Sequence, residues 1–279
     1  MIDIILDTLI DGVKLLPFLF ITFLLMELIE HKFGDKLNNK LSKVNKFGPI
    51  LGGILGILPQ CGISASATNF YITRVITYGT LISVYLSTSD EMLPILISEK
   101  ANPILIIKLL LIKLICGIFF GFLIDLIFRK KNHEDIKDFC DIEDCDCEHG
   151  ILKSSIIHTI KTFIYLIVIS FILNIILHYF GESFLENILM KNNPFAIVIT
   201  AIIGLIPNCS TSILLTELYL KDLISVGKLI GGLLVNSGVG LLILIRYNKN
   251  SKENIKTIII LLLIGIIIGF IFDIFKITL

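Results

Sequence analysis

Proline, an amide and a cysteine stand together twice in this chain, as Pro59-Gln60-Cys61 and as Pro207-Asn208-Cys209, 148 positions apart. Each triplet interrupts an apolar stretch, residues 47–72 and 195–220. Proline removes a backbone donor and stops a helix, so neighbouring carbonyls and amides lose their partners. In hydrocarbon, such backbone is tolerated only inside protein or beside a water-filled cavity. Gln60, Asn208, Ser64, Ser212 and the sulfurs of Cys61 and Cys209 would line that cavity, with Pro59 and Pro207 as the helix breaks. Two thiols meeting there would offer soft ligands to a thiophilic ion. The plainer alternative is a pair of kinks with cysteine serving as a small packing residue.

A second candidate centre is Ser87-Thr88-Ser89-Asp90-Glu91, two acids inside an apolar run. A charge at mid-membrane costs about 2.5–3.5 kcal/mol on insertion scales and marks ion or proton pathways. The corresponding residues of the second copy are Asn236, Ser237, Gly238 and Val239, so the charge is not duplicated. Asp90 and Glu91 would bind a cation or a coupling proton; the alternative makes Asp90 a helix cap. Asn69 and Glu217, at matching positions of the two copies, would add oxygen ligands. Hard oxygens favour manganese, whereas paired thiols favour arsenite or a softer metal.

A third group, His133, Cys140, Cys145, Cys147 and His149, lies in an acidic loop. Its composition can capture a divalent metal, but Cys-x-Cys without a second pair is not a structural zinc signature. Delivery or sensing suits it better than transport, and a solvated linker is the alternative.

The elements that must position these residues follow from an internal repeat. At the same offset Gly56, Thr68, Tyr71 and Gly79 fall on Gly204, Thr216, Tyr219 and Gly227, and Gly117, Gly121 and Asp125 fall on Gly265, Gly269 and Asp273. A duplicated, interrupted membrane unit points to a transport site between the copies. Apolar segments at 8–29, 47–72, 75–98 and 104–128 recur as 156–179, 195–220, 223–245 and 256–275. A span needs about 20 apolar residues, so the halves of 47–72 and 195–220 are too short to cross singly. They read as re-entrant hairpins. The expected architecture is all-α: two inverted repeats, 1–129 and 153–279, each of three spanning helices and one hairpin, ten helices in total. An acidic linker, 130–152, joins them.

With the N-terminus outside, residues 31–46, Arg74, the 129–153 loop and 246–256 collect most Lys and Arg inside. Lys100, Lys191, Lys221, Lys228 and Lys276 fall outside. The Gly117/Gly121 and Gly265/Gly269 pairs read as small-residue packing faces. Asp125 and Asp273, near helix ends, are expected to reach the interface, as are Lys14, Lys161, His158 and His178.

A mean hydropathy of +0.90 with 55% hydrophobic residues places the chain among multi-pass membrane proteins. Asp3, Asp7 and Asp11 replace the basic start of a cleavable signal. Zero net charge gives no pull toward nucleic acid. No phosphate-binding loop, Ser-His-Asp set or His-Glu-x-x-His pattern occurs, so no enzyme activity and no cofactor are expected.

The runs Gly56 to Ala65 and Leu86 to Ile95, with Ile206 to Cys209 and Leu234 to Gly240, resemble a bacterial and archaeal family of ten-transmembrane heavy-metal exporters. Descriptions of that family name arsenic efflux or manganese transport. The resemblance implies efflux of a metal or metalloid; together with the residues it gives the reading of a multi-pass secondary transporter of a prokaryotic inner membrane that exports the ion by alternating access, with a coupling ion such as H+. The rival readings are an anion or metalloid permease and a non-transporting metal sensor built on the 133–149 loop.

Overall fold

The computed structural model describes residues 47–89, 92–128, 151–180, 195–207 and 209–276, with scattered helical positions between Val13 and Leu25. Among the described residues there is no strand. The first copy contributes α1 (Gly48–Gly56), α2 (Cys61–Ile72), α3 (Tyr78–Ser87), α4 (Met92–Ser98) and α5 (Pro103–Phe128). The second contributes α6 (Ile151–Phe180), α7 (Phe195–Gly204), α8 (Cys209–Leu220), α9 (Val226–Val235), α10 (Gly240–Tyr247) and α11 (Ser251–Ile274). Each of the four interrupted stretches therefore divides where its polar or proline residues predict.

The central helices are α3 and α9. Every residue of α3 and every residue of α9 after Val226 is buried. Each lies between two partners: α3 between α1 and α5, α9 between α7 and α11. Among the described residues, three stretches are long and apolar enough to cross a membrane: 103–128, 226–247 and 251–274. Their burial divides them sharply, at 22%, 94% and 28% respectively. The first and third are peripheral, and the interrupted one is interior.

Side-chain periodicity explains this division. On α5 the apolar residues Ile104, Ile107, Leu111, Ile115, Phe119 and Leu126 are exposed, while Leu109, Lys113, Gly117, Gly121 and Ile124 are buried. Spacings of three and four place each set on its own helix face. An exposed stripe of isoleucine and phenylalanine is unfavourable in water and suited to lipid. The outer faces of α6 and α11 repeat the pattern through Ile156, Ile160 and Ile164 and through Ile255, Ile259, Leu263 and Ile267.

Small residues let the interior helices approach closely. A Cβ on Gly121 would sit 2.8 Å from the Gly79 carbonyl, and one on Gly269 would sit 2.8 Å from that of Gly227. One on Gly117 would meet the Ser83 carbonyl at 2.8 Å, and one on Gly265 that of Gly231 at 2.6 Å. Those separations exclude any side chain, so the glycine pairs are packing faces as their spacing suggested.

Two expectations about polar residues in the spans are corrected. Asp125 and Asp273 do not reach for an interface. Asp125 accepts from Thr77 Oγ1 at 2.7 Å and from Gly79 N at 2.8 Å. Asp273 accepts from Ser225 Oγ at 3.0 Å and Gly227 N at 3.1 Å. Thr77 and Ser225 themselves cap α3 and α9, accepting from Thr80 N and Lys228 N. Each carboxylate thus completes an N-terminus, where orphaned N–H groups and the helix dipole favour negative charge. His158 is also internal, 1% exposed and stacked on Phe23 with ring centroids 5.7 Å apart. Because α6 starts at Ile151, the imidazole lies about two turns inside it. Lys161 is exposed; Lys14 and the side chain of His178 lie outside the described residues.

Candidate functional site

Three of the chain breaks show the local chemistry that builds them. Gln60 adopts an extended backbone, φ −155° and ψ 112°, between α1 and α2. Its N–H turns back to the Leu58 carbonyl at 2.8 Å, while Pro59 has no N–H to give. In the break after α3, the Ser87 and Thr88 hydroxyls fold back on α3, donating to the Ser83 and Val84 carbonyls at 2.8 and 2.7 Å. Ser89 Oγ instead donates to the Ile57 carbonyl just past α1, tying two breaks of the same copy together. The break after α9 is an Asx turn: Asn236 Oδ1 accepts from Gly238 N at 2.9 Å. Gly238 holds a φ of 56°, a conformation glycine adopts without a steric cost.

The two copies then cross. The α10 half-helix that follows the second break packs on α2 of the first copy, and α4 packs on α8 of the second. Thr68 is the pivot of the first crossing. Its hydroxyl oxygen lies 2.7 Å from the Ser64 carbonyl, 3.2 Å from that of Gly240 and 2.6 Å from the Tyr85 hydroxyl. With one hydrogen to give, Thr68 donates to the nearer carbonyl and accepts from Tyr85. A Cβ on Gly240 would lie 2.8 Å from the Tyr85 ring and 2.9 Å from the Ser64 carbonyl. No larger residue could bring α10 this close. In the second copy Thr216 makes the matching bond to the Ser212 carbonyl at 2.7 Å.

Polar groups beside the crossing lack protein partners. Asn69, one residue beyond Thr68, is fully buried with both Oδ1 and Nδ2 unpartnered. Asn236 is 2% exposed, and its Nδ2 is likewise unpartnered. A buried amide left unsatisfied costs about 1–3 kcal/mol. The two amides belong to different copies: Asn69 is on α2, and Asn236 is in the break that precedes α10, the half-helix packed on α2.

A cation completes this region. Lys113 is 3% exposed, and its Nζ donates to the Leu233 carbonyl at 2.9 Å. Leu233 lies in the last turn of α9, whose terminal carbonyls have no further helix to serve. A positive charge is favoured there by the helix dipole.

The other anticipated residues fall as follows. Ser64, Ser87, Ser89, Ser212, Asn236 and Ser237 are all buried. Gln60 and Pro207 are half-buried and Pro59 is exposed. Glu217 sits apart from the buried amides, its side chain 37% exposed and 3.5 Å from Lys221 Nζ. The backbones of Cys61 and Cys209 open α2 and α8. Their side chains lie outside the described residues, as do Asp90, Glu91, Asn208 and the loop residues His133, Cys140, Cys145, Cys147 and His149. Among the described residues no three His, Cys, Asp or Glu side chains converge as a metal cluster.

Sequence reasoning passed over Lys113, Thr68 as a contact and Tyr85. The signal for Lys113 was present: a lysine within a 26-residue apolar helix is itself a functional marker. It escaped notice because Leu261 stands at its repeat position. Tyr85 has the same history, with Leu233 as its counterpart.

The family described as "Putative, 10TM heavy-metal exporter" matches residues 1–185. No curated protein and no solved structure matches the chain.

Proposed function

The chain belongs to the 10TM heavy-metal exporter family, and from that premise we propose a secondary transporter that moves a metal ion out of the cell by alternating access. It is a multi-pass membrane protein. In this reading the two copies, 1–129 and 153–279, are inverted about the membrane plane, and α1–α2 and α7–α8 are re-entrant hairpins. The 130–152 linker and the clustered Lys and Arg lie in the cytoplasm of a prokaryotic cell, with the N-terminus outside the inner membrane. The substrate passes between the copies, at the crossing of α2 with the 236–240 break.

One observation carries the proposal: among the described residues, the buried side-chain polar atoms without a partner belong to Asn69, Asn236 and Asn254, and the first two lie on or beside elements of the crossing. A buried amide without a partner is costly in hydrocarbon, and a hydrated or coordinated ion would remove that cost. The described donors are amide, hydroxyl and carbonyl groups, oxygen-rich and hard, which suits a divalent ion such as manganese. Asp90 and Glu91 would supply the balancing charge. Thiols of Cys61 and Cys209 would be needed for an arsenic-type substrate. Alternating access would arise because α4 and α10, each joined to its own copy, rest on the hairpin limb of the other; rocking the copies remakes both crossings together.

The test is a metal-panel accumulation assay in cells expressing the chain, with manganese and arsenite included. The wild type should lower accumulation of one of them. Asn69→Leu should abolish that export while the protein still inserts and purifies. An N69L variant that exports like the wild type would refute this site. Export of arsenite alone, unchanged in Asp90→Asn, would instead identify a metalloid permease.

A further inference from the structure

We propose that Tyr78 and Thr257, with Phe128 and Lys256 around them, form a latch between the two copies that opens and closes one mouth of the transport path. The inference rests on the transport reading above and adds to it the contact that gates one side. In that reading the latch faces the cytoplasm, because Phe128 precedes the 129–153 loop and Lys256 closes the basic 246–256 stretch.

Both copies contribute to the latch. Tyr78, the first residue of α3, donates its hydroxyl to Thr257 Oγ1 of α11 at 3.0 Å. Thr257 gives its own hydrogen to the Glu253 carbonyl at 2.9 Å, so the tyrosine is the donor. The Phe128 ring meets Tyr78 edge-on, with centroids 6.0 Å apart. Lys256 Nζ lies over both rings, 3.2 Å from the Phe128 centroid and 5.5 Å from that of Tyr78, where the ring quadrupole attracts a cation. The first copy's half is held in place by Asp125, which bonds Thr77 and Gly79 on either side of Tyr78. On α2, Tyr71 packs its ring on Tyr78 with centroids 5.6 Å apart, two residues beyond the unpartnered Asn69. A shift of α2 at the crossing therefore reaches the latch through one ring contact.

The repeat restricts this contact to one side. At the 148-residue offset Tyr78 falls on Val226, Thr257 on Leu109, Phe128 on Lys276 and Lys256 on Lys108. Valine and leucine side chains form no hydrogen bond, and the ring facing the cation is gone. An unrepeated bond gives one closed mouth a stability that the other lacks.

Asn254 makes the latch releasable. It lies three residues before Thr257 on the same buried face of α11 and is 8% exposed. Its Nδ2 donates to the Asn248 carbonyl at 3.1 Å, while Oδ1 has no partner. The closed latch gains the tyrosine bond and the ring contacts but leaves one acceptor dry; opening gives that acceptor water. The two effects are of similar size and opposite sign, the condition for an equilibrium that a ligand can shift.

The test uses the full chain in liposomes with spin-labelled amino acids inserted at Leu126 and Ile255, exposed positions of α5 and α11 next to Phe128 and Lys256. Pulsed EPR reads the distance between them with no metal added. The wild type should show a dominant short distance and a longer minor one. Tyr78→Phe keeps the ring and removes the donor; Thr257→Val keeps the shape and removes the acceptor. Each should raise the ratio of long to short about two- to tenfold. Asn254→Leu removes the dry acceptor and should shift the ratio the other way. Unchanged distances in Y78F and T257V with a lowered melting temperature would make the contact static packing and overturn the latch. A shift of N254L toward the long distance would overturn it too. If T257V or N254L does not fold, Y78F decides. Mn(II) flux into the same liposomes, read by an entrapped quenched dye, judges the transport reading separately. Shifted distances without flux uphold the latch and refute manganese transport; flux with unshifted distances does the reverse.

Discussion

Asp125 holds Gly79 through a 2.8 Å hydrogen bond from the glycine N–H to its Oδ1, at the point where α5 crosses the start of α3. The same carboxylate accepts from the Thr77 cap. One acidic side chain therefore fixes a helix terminus, a cap and an interhelical contact at once. Asp273 repeats the arrangement on Gly227 and Ser225. Replacing Asp125 by Ala should lower thermal stability in detergent by about 2–3 kcal/mol, because hydrogen bonds to charged groups are the stronger ones and the capped N–H is left buried. Asn should restore part of the loss. Equal thermostability of D125A and wild type in a chromatographic melting assay would contradict this account.

Glycine contacts should sort by distance. Alanine at Gly265 would place its Cβ 2.6 Å from the Gly231 carbonyl, whereas alanine at Gly231 would find its nearest neighbour at 3.2 Å. Gly265→Ala should therefore destabilise α9 against α11 by about 1–3 kcal/mol as overpacking does, while Gly231→Ala should be mild. Melting temperatures of the two purified variants check the order.

The Thr68–Tyr85 pair offers an asymmetric test. Tyr85→Phe removes a donor but leaves Thr68 bonded to the Ser64 carbonyl, a cost of about 1 kcal/mol. Thr68→Val strands the Tyr85 hydroxyl in the core, a cost of about 1–3 kcal/mol. The double variant should be less damaging than the sum of the two singles. Additive losses would mean that the 2.6 Å contact contributes nothing to stability.

Gly238 tests the second break. Its φ of 56° lies in the left-handed region, where a side chain costs roughly 1–2 kcal/mol. Gly238→Ala should lower stability and impair export, and Gly238→Asn should do so less, because Asn tolerates that conformation. Thermostability and accumulation assays on both variants decide it.

Much of the helical plan is legible in the residues themselves. Apolar run length, proline and the Ser/Thr/Asn clusters are local properties, and they place the interruptions at 57–60, 88–91, 205–208 and 236–239 correctly. Small residues four apart announce the close faces of α5 and α11 for the same reason. The site is less legible. The pattern singles out Gln60 and the proline breaks along with Asn69 and Asn236, and of these only the two asparagines have buried amide atoms without a partner; Asn254, which no pattern marks, has one as well. Glu217 matched Asn69 in register but turned to Lys221 at the surface.

The sequence by itself determined which segments are apolar, where each is broken and which residues recur, because helix length, capping and backbone breaking depend on near neighbours. Only the tertiary structure decided which break meets which limb. The Thr68–Gly240 contact joins residues 172 positions apart, and the Lys113–Leu233 bond joins residues 120 apart. No local rule links such pairs. The inward turn of Asp125 follows from packing within its own copy, and the burial of His158 and the placement of one unrepeated lysine at the end of α9 from packing between copies; in each case the polar group finds its partner across the fold rather than along the chain.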